Sequence, residues 1–347
     1  DQCKWKQNLL RQSLVHNLGE DAAQVLDNFL PAPAHTGYRC RAQLKCAEVG
    51  SRFLLGFFRP GTHEVVDVET CPVLHPHLSA LLNPLRELLQ STRYASSISQ
   101  IDMGVDGADN VRLLFHCRAR DLDSFAAWMK QHSSAWDAAI LMIPVPSRSE
   151  TVCVQGRAEL VFSPGDPQLQ LKYSTRDFCQ VNLAQNSALV AQVLELAGVD
   201  AHTTVYDLYC GVGNFALPLA LRAGMVVGVE ANAGAIERAT QNARAHSLNN
   251  TRFYAADIAR FLTRYDTDLP DPDVVVLDPP RAGAKKVATL LGATKAKRVV
   301  YVSCDQHTML RDIKLFTQSG FGLRYIRGVD MFPLTHHCEV VALLTRN

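Results

Sequence analysis

A doubly wound α/β fold, a seven-stranded Rossmann-like sheet with a second, smaller α+β domain, is the class this sequence predicts. Two observations predict it. Short strand-like runs at 204–209, 225–230, 252–255, 274–277, 299–303, 323–329 and 340–344 alternate, for the most part, with helical stretches, the order expected of parallel strands joined by crossovers. Before residue 163 the pattern differs: alternating strands at 41–47, 53–58 and 111–117 mix with a helical stretch at 76–89. The last two strands have only the loop 330–339 between them, so they are expected to pair antiparallel at the end of the sheet.

In chain order, Leu10, Leu14, Val15 and Leu18 recur at helical spacing and stop at Gly19, which predicts an amphipathic helix with a glycine at its C-terminal end. A loop with Pro31 and Pro33 follows. Residues 1–33 are read as this helix and a linker that pack on the catalytic domain, 34–165 as an α+β domain, and 166–347 as the α/β domain. The Ser163-Pro164-Gly165-Asp166-Pro167 cluster marks the hinge.

The chain has 347 residues, 47% of them hydrophobic, enough for a large core. Lys plus Arg number 35 against 34 Asp plus Glu, so no global positive field announces a nucleic acid, and any such partner must be held by local patches. No apolar run approaches a membrane span and no charged-then-apolar leader opens the chain, which predicts a cytoplasmic protein, read as monomeric. Ten cysteines spread through apolar runs read as reduced thiols rather than a disulfide scaffold.

The first α/β strand ends in Asp207-Leu208-Tyr209-Cys210-Gly211-Val212-Gly213-Asn214-Phe215-Ala216. Glycines there allow a tight turn and close approach to a ligand, and the following helix offers free N–H donors. Glu230 ends the second strand, where a carboxylate can accept both ribose hydroxyls. The motif is shared by nicotinamide and S-adenosylmethionine sites. Asp257, after the third strand, reads equally as an adenine ligand or a helix N-cap.

The fourth strand runs into Asp278-Pro279-Pro280-Arg281-Ala282-Gly283, whose prolines stiffen the backbone where open α/β sheets bind ligands. The fifth ends in Ser303-Cys304-Asp305, and His336-His337-Cys338-Glu339 precedes the last strand. Carbon 5 of uracil is a poor nucleophile. A Cys304 thiolate adding to carbon 6 makes an enolate whose carbon 5 can take a methyl group, and a base, Glu339, then removes the carbon 5 proton. The two histidines read as a loop pair that hydrogen-bonds the backbone and fixes Glu339, not as a zinc site.

From Phe178 to Glu339 the chain resembles the bacterial RNA uracil-5-methyltransferases. The segments that carry the resemblance are Phe178-Cys179-Gln180-Val181-Asn182, the 207–215 loop, Asp278 to Gly283, Ser303-Cys304-Asp305, and Phe332-Pro333-Leu334-Thr335-His336-His337-Cys338-Glu339. The resemblance implies a methyltransferase domain with Cys304 as nucleophile and Glu339 as base. It implies S-adenosylmethionine contacts from Gln180, Tyr209, Asn214, Glu230, Asp257 and Asp278, and an RNA substrate, ribosomal rather than transfer RNA.

It extends more weakly to residues 38–43 and 56–64, the family's substrate-facing domain. There Arg39, Arg41, Lys45, Arg52 and Arg59 read equally as an RNA-binding face or a solvated sheet face. Many relatives hold a 4Fe-4S cluster on three closely spaced cysteines and a fourth in a Cys-Pro sequence. Cys71-Pro72 resembles the fourth and Cys3 the last of the three. The remaining ligands are missing, so either the cluster is lost or the chain, which starts Asp1-Gln2-Cys3 and lacks the family's N-terminal barrel, is a fragment. The rival readings are a nicotinamide-dependent oxidoreductase on the same sheet, which leaves Cys304 and Glu339 idle, and a catalytically silent RNA-binding protein.

Overall fold

The computed structural model of the chain describes residues 1–133, 136–145, 151–174, 177–263 and 269–346. The chain forms two compact units: 1–33 with 163–171 and 182–347, and 34–162 with 172–181. Residues 172–181 thus belong to the second unit although they follow the 163–167 segment.

The chain opens with α1 (Gln2–Leu18) and α2 (Glu20–Gln24). The smaller unit then runs through β1 (Arg41–Val49), β2 (Arg52–Phe58), β3 (Val65–Asp67), α3 (Pro76–Ala80), α4 (Leu82–Gln90), β4 (Ile98–Val105), β5 (Val111–Arg118), α5 (Leu122–His132), β6 (Ala138–Val145) and β7 (Val152–Gln155). Its strands lie in the order β3-β2-β1-β4-β5-β6-β7. Only β5 and β6, joined by the α5 crossover, run parallel. Phe125 of α5 is buried edge-on against Phe115 of β5, with ring centroids 5.8 Å apart. β8 (Leu160–Phe162) and β9 (Leu171–Tyr173) form a separate pair.

The larger unit continues with α6 (Leu183–Ala197), β10 (Thr204–Leu208), α7 (Ala216–Ala220), β11 (Met225–Glu230), α8 (Ala233–Ala245), β12 (Thr251–Ala255), α9 (Ile258–Thr263), β13 (Val274–Leu277), α10 (Lys285–Leu291), β14 (Arg298–Ser303), α11 (Gln306–Gln318), β15 (Phe321–Val329) and β16 (Glu339–Arg346). The sheet order is β12-β11-β10-β13-β14-β16-β15. The first five strands are parallel and β16 is antiparallel to both of its neighbours.

Strand burial explains why these runs are so apolar. All four residues of β13 are buried, because a parallel sheet is covered on both faces. Period-two alternation splits them: Val275 and Leu277 join a core with Leu10 and Leu14 of α1 and Ile313 and Phe316 of α11, while Val274 and Val276 join one with Leu189 and Val193 of α6. Side-chain caps start the helices at fixed points. Asn182 accepts from the Gln185 N–H ahead of α6, Asn232 from Gly234 and Ala235 ahead of α8, and Asp305 from Thr308 ahead of α11. β14 ends at Ser303 and the Asp305 cap starts α11 one residue past Cys304, which keeps that cysteine at the strand's carboxyl edge.

Candidate active site

The sheet reverses its order between β10 and β13, whose neighbours β11 and β14 lie on opposite sides. Ligands bind at the carboxyl edge of such a switch point. Tyr209, just past β10, adopts the left-handed region at φ 70°, a strained conformation for a residue with a side chain. Its N–H is tied to the Val229 carbonyl at 2.8 Å. Gly211 follows at φ 53° with nothing within 4 Å of where a Cβ would be, so the turn leaves open space over its backbone.

Around this turn are three carboxylates. Glu230 ends β11, half-buried, and one oxygen accepts from the Asn232 N–H at 2.9 Å. Asp257 is exposed and caps α9 through the Arg260 N–H at 2.9 Å, so the capping alternative is realised with its Oδ1. Asp207, which sequence reasoning passed over, is completely buried and neither of its oxygens has a hydrogen-bond partner. Burial first, then the charge of Asp278 and, to a smaller degree, that of Glu230 push its carboxyl up to about 8, while the Ala216 N–H, close by but outside hydrogen-bond geometry, pulls it down. An acid inside an apolar strand run was the available signal.

Asn214 does not offer a free amide. Its side chain is locked in a reciprocal pair with Asn186 of α6, at 2.8 and 3.0 Å. Gln180 lies in the smaller unit, buried, with its carbonyl accepting from the thiols of Cys40 and Cys179. The open glycine turn, the unpartnered Asp207 carboxylate and the Glu230 carboxylate at the end of β11 fit an adenosyl cofactor.

The reaction centre is built by register. Ser303 pairs with Val340 across the β14–β16 ladder, and since the strands are antiparallel, the next positions outward are Cys304 and Glu339. Cys304 is half-buried and Glu339 is buried with its Oε2 unpartnered. Burial, then Glu339 and Asp278, push the Cys304 thiol up to about 11, while Arg281 pulls it down. Glu339 is raised by burial and by Asp278, against Arg281, and burial raises Asp278. Four groups from three chain segments therefore share one electrostatic field. Two close carboxyls cannot both ionise easily, so one tends to carry a proton.

The Asp278–Gly283 turn is clamped by α11. Gly283 has φ 75°, and a Cβ there would lie 2.6 Å from both Arg311 and Asp312. Asp312 is fully buried and accepts from the Ala284 N–H at 2.6 Å and the Tyr301 hydroxyl at 2.8 Å. Arg311 donates to Asp312 and, at 2.9 Å, to the Ala282 carbonyl.

Other expectations come out differently. The rings of His336 and His337 lie 4.0 Å apart. Among the described residues neither imidazole is hydrogen-bonded to backbone; His337 engages through its main chain, its N–H donating to Thr335 Oγ1 and its carbonyl accepting from Lys6. Cys3 donates to Asp330 Oδ2 at 3.5 Å, and Cys71 lies in the smaller unit, with its N–H on Ser79 Oγ. Among the described residues the one cluster of three metal-competent side chains is His75, His77 and Asp109. Two thiols do not fit a four-iron cluster, which takes four.

In the smaller unit the basic residues separate. Arg59 is paired bidentately with Glu64 and Arg52 contacts Asp67. Lys45 bonds Gln100 and lies over the Phe58 ring. Arg39 and Arg41 instead line a cavity of about 400 Å³ with Asp177 and Phe178, whose ring is 72% exposed.

Among the described residues, no helix is long and apolar enough to cross a membrane. The family model described as tRNA (uracil-5-)-methyltransferase matches residues 4–347. The 23S rRNA (uracil(1939)-C(5))-methyltransferase RlmD of Pectobacterium carotovorum is 36% identical over 328 residues, which cover 93% of this chain and 71% of that protein. The Pseudomonas aeruginosa RlmD is 36% identical, covering 88% and 68%. The Pyrococcus abyssi tRNA (uracil-54, C5)-methyltransferase, solved with S-adenosyl-L-homocysteine, superposes with a TM-score of 0.78 over 99% of this chain and 83% of that one, at 24% identity, and shares the fold. With a match to the family model along nearly its whole length, this chain belongs to the tRNA (uracil-5-)-methyltransferase family of RNA (uracil-C5)-methyltransferases.

Proposed function

We propose that the protein methylates carbon 5 of a uridine in ribosomal RNA, with Cys304 as nucleophile and Glu339 as base. The observation that carries this reading is the Cys304–Glu339 juxtaposition, set by register at the carboxyl edge of the sheet beside Asp278. The choice of ribosomal RNA is supported by relatives named as 23S rRNA enzymes. When bound, S-adenosylmethionine supplies an electrophilic methyl group on a positively charged sulfur. Glu230 and Asp257 would hold its ribose and adenine, Tyr209 and the backbone at Asn214 would line the turn, and Asp278 and Gln180 would supply further contacts.

Cys304 Sγ, once deprotonated, bonds carbon 6 of the uracil. The carbon 5–carbon 6 π electrons move toward carbon 5 and oxygen 4, and carbon 5 then takes the methyl group, whose bond to sulfur would break with its electron pair staying on the sulfur of the departing S-adenosylhomocysteine. Glu339 removes the carbon 5 proton, the C–H electrons restore the double bond, and the carbon 6–sulfur bond breaks to return the thiolate. Arg281 favours the charged form of both Cys304 and Glu339. The smaller unit's Arg39, Arg41 and Phe178 suit the backbone and an unstacked base of single-stranded RNA.

The test is incubation with methyl-tritiated S-adenosylmethionine and unmodified total RNA, followed by nucleoside analysis. Label in 5-methyluridine of ribosomal RNA is expected, together with its loss in Cys304→Ala and a persistent adduct with 5-fluorouridine RNA. Label in another nucleoside, or undiminished transfer by Cys304→Ala, overturns the reading.

A further inference from the structure

Helix α1 carries a charge where its pattern calls for an apolar residue. Lys6, Leu10 and Leu14 recur every four residues on the face turned to the core, and all three are buried. A lysine is stable there only with its ammonium fully paired. Its Nζ donates to Asp330 Oδ1 at 2.7 Å, to the Phe332 carbonyl at 3.1 Å and to the His337 carbonyl at 2.7 Å. An ammonium has three donors, and all are used. The acceptors lie at the two ends of the 330–337 loop, which leads into Glu339 at the start of β16.

Gln2, one turn earlier, holds the middle of the same loop. Its Nε2 donates to the Thr335 carbonyl at 3.0 Å, and its Oε1 accepts from the Leu334 N–H at 2.9 Å, where Leu334 turns through the left-handed region at φ 62°. Glu339 Oε2 has no partner of its own. The aim of this carboxylate is therefore set by the backbone that carries it, and α1 fastens that backbone.

We propose that the start of α1 is the device that positions Glu339, with Lys6 and Gln2 as positioning residues. The inference rests on the reading of Glu339 as base. Proton removal is the last bond-changing step: Glu339 takes the carbon 5 proton, the double bond re-forms and Cys304 leaves. A loosened loop slows this step while addition and methyl transfer, which use Cys304 and the cofactor edge, proceed. Small displacements of a catalytic group have large kinetic effects.

Single-turnover reactions with RNA tritiated at carbon 5 separate the steps, with the covalent adduct followed on denaturing gels and tritium release giving the last step. Lys6→Met is expected to form adduct at close to the wild-type rate and to release tritium about tenfold or more slowly, so that methylated adduct accumulates. Gln2→Ala is expected to shift release the same way by a few-fold, with an unchanged melting temperature. Release at the wild-type rate in both variants overturns the proposal, as does a Lys6→Met that slows adduct formation and release in equal proportion. Should Lys6→Met not fold, Gln2→Ala decides by the same two readouts. Glu339→Gln is run in parallel: wild-type release from it removes the base assignment itself, whereas slow release from it with normal Lys6→Met and Gln2→Ala removes only the role of α1.

Discussion

Asp207 and Asp330 lie in the same unit and both are fully buried, yet their surroundings are opposite. Asp330 has an ammonium at 2.7 Å and a thiol at 3.5 Å. Asp207 has no hydrogen-bond partner and faces two other acids. A satisfied buried charge specifies how two segments dock, while an unsatisfied one stores an unfavourable interaction that a bound ligand can relieve. The difference separates the scaffold of this site from its binding edge.

The largest effect is expected from breaking the satisfied pair. Lys6→Met leaves the Asp330 carboxylate buried with no cation and only the Cys3 thiol beside it, at a loss of about 3–5 kcal/mol in chemical denaturation. Lys6→Met with Asp330→Leu should recover most of that stability, since an apolar pair of similar volume replaces a buried ion pair at little loss. Recovery of stability without recovery of tritium release would sharpen the assignment of α1 to the base loop.

Asp207→Asn should act in the opposite direction, raising stability by roughly 1–2 kcal/mol at pH 8 once the amide's own unmet hydrogen bonds are counted. Its sign follows from the raised carboxyl. Below about pH 4 the acid is protonated in both folded and unfolded chains and adds no penalty. As pH rises toward about 8 the unfolded chain ionises while the folded one resists, so stability falls across that window and levels off above it. Melting curves of wild type and variant should coincide near pH 4 and diverge steadily to pH 8. Parallel curves throughout would mean that Asp207 is hydrated.

Arg311→Ala removes donors to Asp312 and Ala282 while Tyr301 and the Ala284 N–H remain. A loss of about 1–2 kcal/mol is expected, with a weaker hold on the Asp278–Gly283 turn read as slower adduct formation. Arg59→Ala, which breaks an exposed pair with Glu64, should leave the melting temperature unchanged.

The strand runs, the antiparallel last pair and the placement of Cys304 and Asp278 at strand ends were legible because each is a local pattern: period-two burial, a proline pair, a capping aspartate after a strand. The resemblance named Glu339 for the same reason, through a contiguous motif. What resisted reading was longer in range. Asn214 looks available until Asn186, 28 residues away, is seen to occupy it. Lys6 looks like a solvent residue until Asp330 is found 324 residues on.

Sequence alone thus determined the strands of the larger unit, their order along the chain and the residues carried at their ends, since hydrophobic periodicity and turn residues act over a few positions. Only the tertiary structure decided the Ser303–Val340 register that opposes Cys304 to Glu339, the isolation of Asp207 and the grip of α1 on the loop that leads into Glu339. These depend on which distant groups desolvation brings together, and no local pattern along the chain records that.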